Sequence, residues 1–224
     1  MSGTLQASVV KDSASATNNL ALDASGNVTV GNNLTVNGTS THTGNATFAG
    51  TITGSSTIAA STGTLYPIVS GTSQASTSGT SITFTSIPSW VKRITVMFNG
   101  VSTSGTSSWL VQIGSGSVSN SGYSSVSGYV GTGSTAGSVN STSGFVIGIG
   151  NAASLAYGSM VLTLFGSNTW VSSTSLGDVV SGSYYGFNGG GVSPALSGAL
   201  DRVVITTANG TDTFDAGSIN ILYE

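Results

Sequence analysis

A six-residue repeat in residues 20–64 constrains the fold of this chain more than any other feature. Glycine recurs at Gly38, Gly44 and Gly50, and the Thr, Asn and Ser around them suit strands and tight turns. Two apolar series share this step. The first is Val30, Val36, His42 and Phe48, with His42 as its odd member. The second is Val28 and Leu34, and it resumes later in the chain at Ile52 and Ile58. Such repeats cannot bury their apolar faces within one chain. They therefore predict a fibrous β-repeat stalk over residues 26–64, intertwined from several chains, with a homotrimer expected.

Charge is sparse along the chain. Charged residues make up 5% of the 224 residues, and a net charge of −3 leaves no basic patch, which argues against nucleic acid as a partner. Hydrophobic residues make up 38%, many of them β-branched, which favours an all-β fold over disorder. The chain has no cysteine, and no apolar run approaches the roughly 20 residues that span a bilayer. We therefore expect no disulfide and no membrane insertion.

Residues 1–20 lack the basic segment and apolar run of a secretory signal. An adhesin-like composition without an export signal is typical of a virion protein that is made in the host cytoplasm and released by lysis. An adhesin exported by another route is the alternative. We predict that residues 1–25 are an N-terminal attachment segment for other virion proteins, with a flexible tail as the alternative.

Residues 65–224 contain short runs of alternating apolar and polar side chains, separated by Gly, Ser and Asn. This pattern predicts an antiparallel β-sandwich head domain of jelly-roll-like kind. The expected strands are Ser81–Thr85, Arg93–Asn99, Leu110–Ile113, Phe145–Ile149, Met160–Phe165, Arg202–Thr207 and Ser218–Tyr223. The expected core comprises Ile94, Val96, Phe98, Val161, Leu162, Leu164, Val203, Ile205, Ile219 and Leu222, although Val161 and Leu162 cannot both face inward in an alternating strand.

Two Ser/Gly-rich segments, Gly114–Gly144 and Val179–Gly198, are predicted as long connections, which in compact domains tend to carry function. They hold six candidate receptor-contact residues: Tyr123, Tyr129, Tyr184, Tyr185, Phe187 and Asn188. A pyranose stacks on a flat aromatic ring, and amides serve its hydroxyl groups. The alternative is that these rings pack inward and hold the segments in place.

No group of residues predicts catalysis. The one histidine, His42, lies in the stalk, far in sequence from the carboxylates of residues 65–224. His42 could bind a metal if three symmetry-related copies met at an axis. Asp212 and Asp215 could form a calcium site, but turn capping is the expected role. We predict a protein that is not an enzyme and that holds no cofactor and no metal.

The stalk sequence NVTVGNNLTVNGTSTHTGNATFAGTITGSSTI resembles the repetitive shafts of bacteriophage tail fibres. The segments IPSWVKRITVMFNGVSTSGTSSWLVQIGSG and LDRVVITTANGTDTFDAGSINILYE are similar to a C-terminal domain found in many phage tail-fibre and virion proteins. The resemblance covers most of residues 20–224. It implies a homotrimeric fibre whose far end presents a β-rich head domain.

These observations predict a virion structural protein on the phage tail or capsid surface. The leading prediction is a trimeric tail fibre that contributes to host-cell adsorption by binding a surface glycan or protein. The alternative is a head fibre, capsid decoration or tail connector with a purely structural role. A glycan depolymerase ranks last because the chain has few ionisable residues.

Overall fold

The computed structural model describes residues 9–10, 20–22, 25, 27–30, 34, 37, 58–60, 63–133 and 135–224. The chain divides into two compact units, residues 1–56 and 57–224. Every regular element in the described part is a β-strand, and every strand pairing is antiparallel. The prediction of an all-β, antiparallel chain is confirmed for these residues.

Nineteen strands are found within the described ranges. In chain order they are β1 (Val9–Val10), β2 (Leu20–Leu22), β3 (Val28–Val30), β4 (Ile58–Ala60), β5 (Gly63–Leu65), β6 (Val69–Ser70), β7 (Gln74–Ala75), β8 (Ser81–Thr85), β9 (Arg93–Thr103), β10 (Trp109–Ser115), β11 (Ser117–Val118), β12 (Ser124–Gly131), β13 (Ala136–Ser141), β14 (Phe145–Ile147), β15 (Leu155–Gly166), β16 (Thr169–Val180), β17 (Ser183–Val192), β18 (Arg202–Thr207) and β19 (Phe214–Tyr223).

Two small sheets lie in the N-terminal part of the chain. Strands β1, β2 and β3 form a three-stranded sheet in the first unit, and β4 pairs with β5 in the second. Most of the predicted attachment segment and stalk, including His42, lies outside the described residues. The intertwined homotrimeric stalk therefore stays a prediction.

The larger unit is built on a nine-stranded sheet in the order β13-β12-β17-β16-β15-β9-β19-β6, with β7 also pairing with β19. Strands β15, β16 and β17 follow one another through two-residue turns at Ser167–Asn168 and Ser181–Gly182. All four turn residues have positive φ, the conformation that type I′ hairpin turns require. These turns match the right-handed twist of the strands, so three long strands lie side by side.

A five-stranded sheet forms the second layer of strands, in the order β11-β10-β18-β8, with β14 also pairing with β10. Both sheets contribute side chains to one hydrophobic cluster, an arrangement consistent with a β-sandwich. The largest fully buried side chains in it include Trp109, Phe145 and Phe214.

Seven of the ten predicted core residues are buried: Ile94, Val96, Phe98, Leu162, Val203, Ile205 and Ile219. Val161, Leu164 and Leu222 are only half-buried. Leu162 points inward on β15, so its neighbour Val161 points outward, and on β19 Ile221 takes the inward position beside Leu222. Leu164 still packs against the edge of the cluster.

The prediction that Gly114–Gly144 and Val179–Gly198 are long connections is wrong. The first contains β12 and β13, and the second contains β17. Glycine is required here because neighbouring strands approach closely. A β-carbon on Gly189 would lie 2.5 Å from the Val126 carbonyl oxygen of the neighbouring strand. Strand β16 was also missed, and β15 begins earlier than expected, at Leu155.

Candidate functional site

Strand alternation separates the six predicted contact residues. Tyr184 and Asn188 on β17 are exposed, whereas Tyr185 is half-buried and Phe187 is 4% exposed, because successive side chains point to opposite faces. Tyr129 on β12 is half-buried and Tyr123 is 3% exposed. The structure therefore divides this set between two faces of the nine-stranded sheet and the interior.

Tyr123 is an interior packing residue, which corrects its assignment as a receptor contact. Its hydroxyl accepts a hydrogen bond from the Ile113 backbone N–H at 2.9 Å and donates to the Ser119 carbonyl at 3.1 Å. Its ring meets Phe145 edge-on, with centroids 5.1 Å apart. Burial raises the pKa of Tyr123 to about 12. The ring thus fastens the segment before β12 onto β10.

Three of the other predicted residues, Tyr129, Tyr185 and Phe187, line a cavity of about 400 Å³. We call it the Asp178 cavity, after the one charged residue in its lining. Strands β12, β13, β16 and β17 contribute to its lining, together with residues 106, 108, 135, 148, 150, 151 and 154 from the segments between strands. Its polar side chains are Thr106, Ser108, Thr135, Asn151, Ser154 and Asp178.

The three aromatic rings form one continuous surface. The Tyr129 centroid lies 5.6 Å from that of Phe187 and 6.3 Å from that of Tyr185, and the Tyr185 and Phe187 centroids are 6.5 Å apart. Tyr129 and Phe187 are cross-strand partners, which brings rings from distant parts of the sequence onto the same face. Because Phe187 is buried beneath this surface, only Tyr129 and Tyr185 can offer ring area to a partner.

Two glycines make room for the tyrosine rings. Gly137 pairs with Tyr129, and Gly131 pairs with Tyr185. A β-carbon on either glycine would overlap the ring of its partner. Each tyrosine ring therefore lies across the bare backbone of the neighbouring strand, and this packing restricts its motion.

Asp178 is the unusual residue of the cavity. It is 4% exposed, and the Ser154 hydroxyl donates a hydrogen bond to its Oδ2 at 2.8 Å. Its Oδ1 is buried without a hydrogen-bond partner. Burial raises the pKa of Asp178, and favourable contacts from Ser154 and from the backbone amides of Leu155 and Val179 oppose this without outweighing it.

An unpartnered buried carboxylate oxygen costs the fold free energy, so it calls for an explanation. Within the described residues, three buried side-chain atoms lack a partner: Trp170 Nε1, Ser172 Oγ and Asp178 Oδ1. Of these three residues, Asp178 is the one that lines the cavity. A retained cost of this kind, next to a cavity, is typical of a binding site.

Sequence reasoning missed Asp178, although a signal was present. On β16 the inward positions run Trp170, Thr174, Leu176, Asp178 and Val180, each buried. An acidic residue at an inward position of an alternating strand is an exception to the pattern that calls for a functional explanation. The signal could be seen only after β16 had been recognised as a strand.

The predicted turn capping by Asp212 is wrong: Asn209 Oδ1 accepts the backbone N–H groups of Thr211 and Asp212 in this turn, and the Asp212 carboxylate instead joins the turn to a second loop. It accepts hydrogen bonds from the Ser107 backbone N–H at 3.0 Å and from Asn209 Nδ2 at 2.7 Å. Asp215 lies exposed on β19. Over the described ranges, no cluster of three or more His, Cys, Asp or Glu residues could hold a metal ion.

No helix long and apolar enough to cross a membrane occurs in the part of the chain that the structure describes. No family model, curated protein or solved structure matches the chain.

Proposed function

We propose that the chain is a bacteriophage virion structural protein, a homotrimeric tail fibre that contributes to host-cell adsorption. In this proposal it is made in the host cytoplasm and carried on the tail or capsid surface, with residues 1–25 bound to other virion proteins. Residues 26–64 form an intertwined fibrous β stalk, and residues 65–224 form the jelly-roll-like β-sandwich head. The resemblance of the stalk and of the two C-terminal segments to phage fibres motivates the proposal, and the all-β architecture agrees with it.

The Asp178 cavity is the observation that carries the adsorption role. It combines two partly exposed tyrosine rings with an unpartnered buried carboxylate oxygen, and its volume falls within the roughly 300–1,000 Å³ typical of small-ligand sites. A buried carboxylate oxygen left without a partner beside a cavity supports a binding role more than a purely structural one.

A second surface supports self-association. Within the nine-stranded sheet, the outer face of β12, β17, β16 and β15 is formed by the even-numbered residues of β12 and β17 and the odd-numbered residues of β15 and β16. None of these residues is charged, whereas the neighbouring strand β9 carries the exposed Arg93 on this face. The exposed apolar side chains on it are Val126, Val130, Leu155, Tyr157, Phe165, Tyr184 and Val192. Such a face is a candidate for contact with neighbouring copies.

Two measurements test this proposal. Light scattering on the purified full chain should give three times the 22.0 kDa mass of one chain, and a 22.0 kDa species in dilute buffer would contradict the trimer. The purified chain, added in excess to host cells, should block adsorption of the phage that carries it. If the phage still adsorbs unchanged at saturating concentrations of the purified chain, the proposed role in adsorption is contradicted.

The uncharged outer face of β12, β15, β16 and β17 also favours the alternative role, a head fibre, capsid decoration or tail connector, because such a face can dock onto other virion proteins. Antibody labelling of intact particles separates the two roles. Labels on the distal tail would support the fibre. Labels spread over the capsid, together with unchanged adsorption in the competition experiment, would favour decoration.

A further inference from the structure

We infer that the Asp178 cavity binds one ring of an uncharged saccharide, with Asp178 Oδ1 accepting a hydrogen bond from a sugar hydroxyl and Tyr185 stacking against the ring; this inference rests on the proposed adsorption function and names its ligand class.

The acceptor is already in place in the folded chain. Asp178 Oδ1 has no partner, while Ser154 holds Oδ2 at 2.8 Å and so fixes the orientation of the carboxylate. The desolvation of Oδ1 has therefore occurred before any ligand arrives. Because Oδ1 is closed off from solvent, a hydroxyl reaches it only when a neighbouring side chain of the lining moves aside, and it then gains a charge-assisted hydrogen bond without that further desolvation cost.

A donor lies in the same lining. The Asn151 Oδ1 atom accepts a hydrogen bond from the Ala153 backbone N–H at 2.9 Å, which orients the amide. Its Nδ2 has no hydrogen bond to other described residues, and the side chain is exposed. A sugar hydroxyl both donates and accepts, so a fixed acceptor and a fixed donor in one cavity suit adjacent hydroxyls of a ring.

The aromatic side of the cavity is fixed by packing. The Tyr185 ring lies across the bare backbone of Gly131, directly opposite Asp178 on the adjacent strand. Cross-strand partners have β-carbons about 4.5–5.5 Å apart. A flat ring held at this spacing from a carboxylate can contact the C–H face of a pyranose while the carboxylate meets hydroxyls at its edge.

The lining disfavours anionic ligands. It contains no Lys or Arg, so a sulfated, phosphorylated or sialylated sugar would meet no balancing charge and would be repelled by Asp178. A cation such as choline is the competing ligand, because a carboxylate beside aromatic rings attracts it, and the choline measurement separates it from the saccharide.

The experiment uses the full chain on a glycan array that carries neutral, sialylated and sulfated members, with choline tested separately by calorimetry. We expect retention of neutral glycans. Asp178→Asn places an N–H donor where Oδ1 stood, and Tyr185→Ala removes the stacking ring, so each should weaken binding of the retained glycan about tenfold or more. Asn151→Ala should also weaken it, and because Asn151 is exposed this variant is not expected to disturb folding.

One matched control accompanies these variants. Asp215→Asn removes an exposed carboxylate on β19, so it should bind as the parent chain does. Retention of acidic glycans alone, binding of choline alone, or no retention would overturn the inference. Equal binding by the parent, Asp178→Asn and Asn151→Ala chains would overturn it as well.

The outcomes also separate this inference from the proposed function. A chain that blocks phage adsorption but retains no neutral glycan removes the saccharide site and leaves adsorption standing. A chain that retains neutral glycans through Asp178 but neither labels virions nor blocks adsorption supports the site and removes the fibre role.

Discussion

Asp178 on β16 lies directly opposite Tyr185 on β17, and both side chains line the same cavity. The two-residue turn at Ser181–Gly182 sets this register, because Val180 pairs with Ser183 at the end of the hairpin. A slip of one residue would move either side chain to the outer face of the sheet. The chemistry of the cavity therefore depends on a turn that does not itself contact the cavity.

The Ser181–Gly182 turn should be sensitive to side chains that resist positive φ. Gly182 has φ of +82° and open space around it, so Gly182→Ala introduces backbone strain without a clash. We expect a loss of about 1 kcal/mol in the free energy of unfolding, or roughly 2–4 °C in the melting midpoint. Gly177→Ala is the control, since Gly177 is also unobstructed but lacks positive φ. Equal losses in both variants would show that the turn geometry does not matter.

Asp178→Asn should stabilise the chain at neutral pH. Burial raises the pKa of Asp178 above 3.8, so the folded chain keeps this proton to a higher pH than the unfolded chain does. Between those two pKa values the free energy of unfolding falls as pH rises, and above the raised value the full cost of the buried charge remains. Removing the buried charge should gain on the order of 1 kcal/mol at pH 7, because the new amide N–H is itself left without an acceptor and offsets part of the gain.

The gain should shrink as pH falls through the raised pKa of Asp178 toward 3.8, and well below 3.8 the wild-type carboxyl is protonated in both states. Within the cavity lining no second carboxylate, histidine, lysine or arginine would blur this dependence. Thermal melts at pH 7 and pH 3.5, at one fixed protein concentration, measure it. Asp215→Asn, at an exposed position, should change little at either pH. If Asp178→Asn were less stable at pH 7, the carboxylate would be a stabilising structural contact and not a costly binding group.

Phe98→Ala should destabilise the chain by about 3–5 kcal/mol, because Phe98 is buried in the cluster beside Trp109, with ring centroids 6.0 Å apart. Phe165→Ala removes the same side chain from a position that is 80% exposed and should change the free energy of unfolding by less than about 0.5 kcal/mol. Urea unfolding of both variants measures the difference. A small effect at Phe98 would show that the two sheets do not share one core.

Tyr123→Phe tests whether Tyr123 is structural. Without its hydroxyl, the buried Ile113 N–H loses its partner, which should cost about 1–3 kcal/mol in unfolding free energy. Glycan binding at the Asp178 cavity, whose lining does not include Tyr123, should be unchanged. Tyr157→Phe, which removes an exposed hydroxyl, serves as the control and should be neutral. Lost binding with unchanged stability in Tyr123→Phe would restore Tyr123 as a contact residue.

The strands that the sequence predicts well are those with strong alternation of apolar and polar residues. Ser81–Thr85 and Arg202–Thr207 are found with the expected bounds. Strands β12, β13 and β17 were missed because glycine and serine lower the local preference for strands, and the pairing that holds these residues extended comes from neighbouring strands. A local pattern does not contain that information.

The candidate site was found in part, and for a related reason. The aromatic residues Tyr129, Tyr185 and Phe187 stood out by composition, and the structure brings them together. Tyr184 and Asn188 were grouped with them because this segment was predicted to be a loop, in which neighbouring side chains have no assigned face. In the strand that forms, Tyr184 and Asn188 lie on the opposite face from Tyr185 and Phe187. Asp178 required knowledge of the register between β16 and β17, which depends on the turn between them.

The hairpin turns in the nine-stranded sheet also bear on the order in which the cavity assembles. A hairpin joined by two residues forms in about 1–10 μs, whereas pairing between segments distant in sequence must first close a long loop. Asp178 and Tyr185 lie on the two strands of such a hairpin, β16 and β17. Tyr129 joins them in the cavity lining only when β12 pairs with β17. We therefore expect recognition to mature late during refolding: ligand binding should lag behind the first appearance of β-sheet signal and coincide with docking of β12.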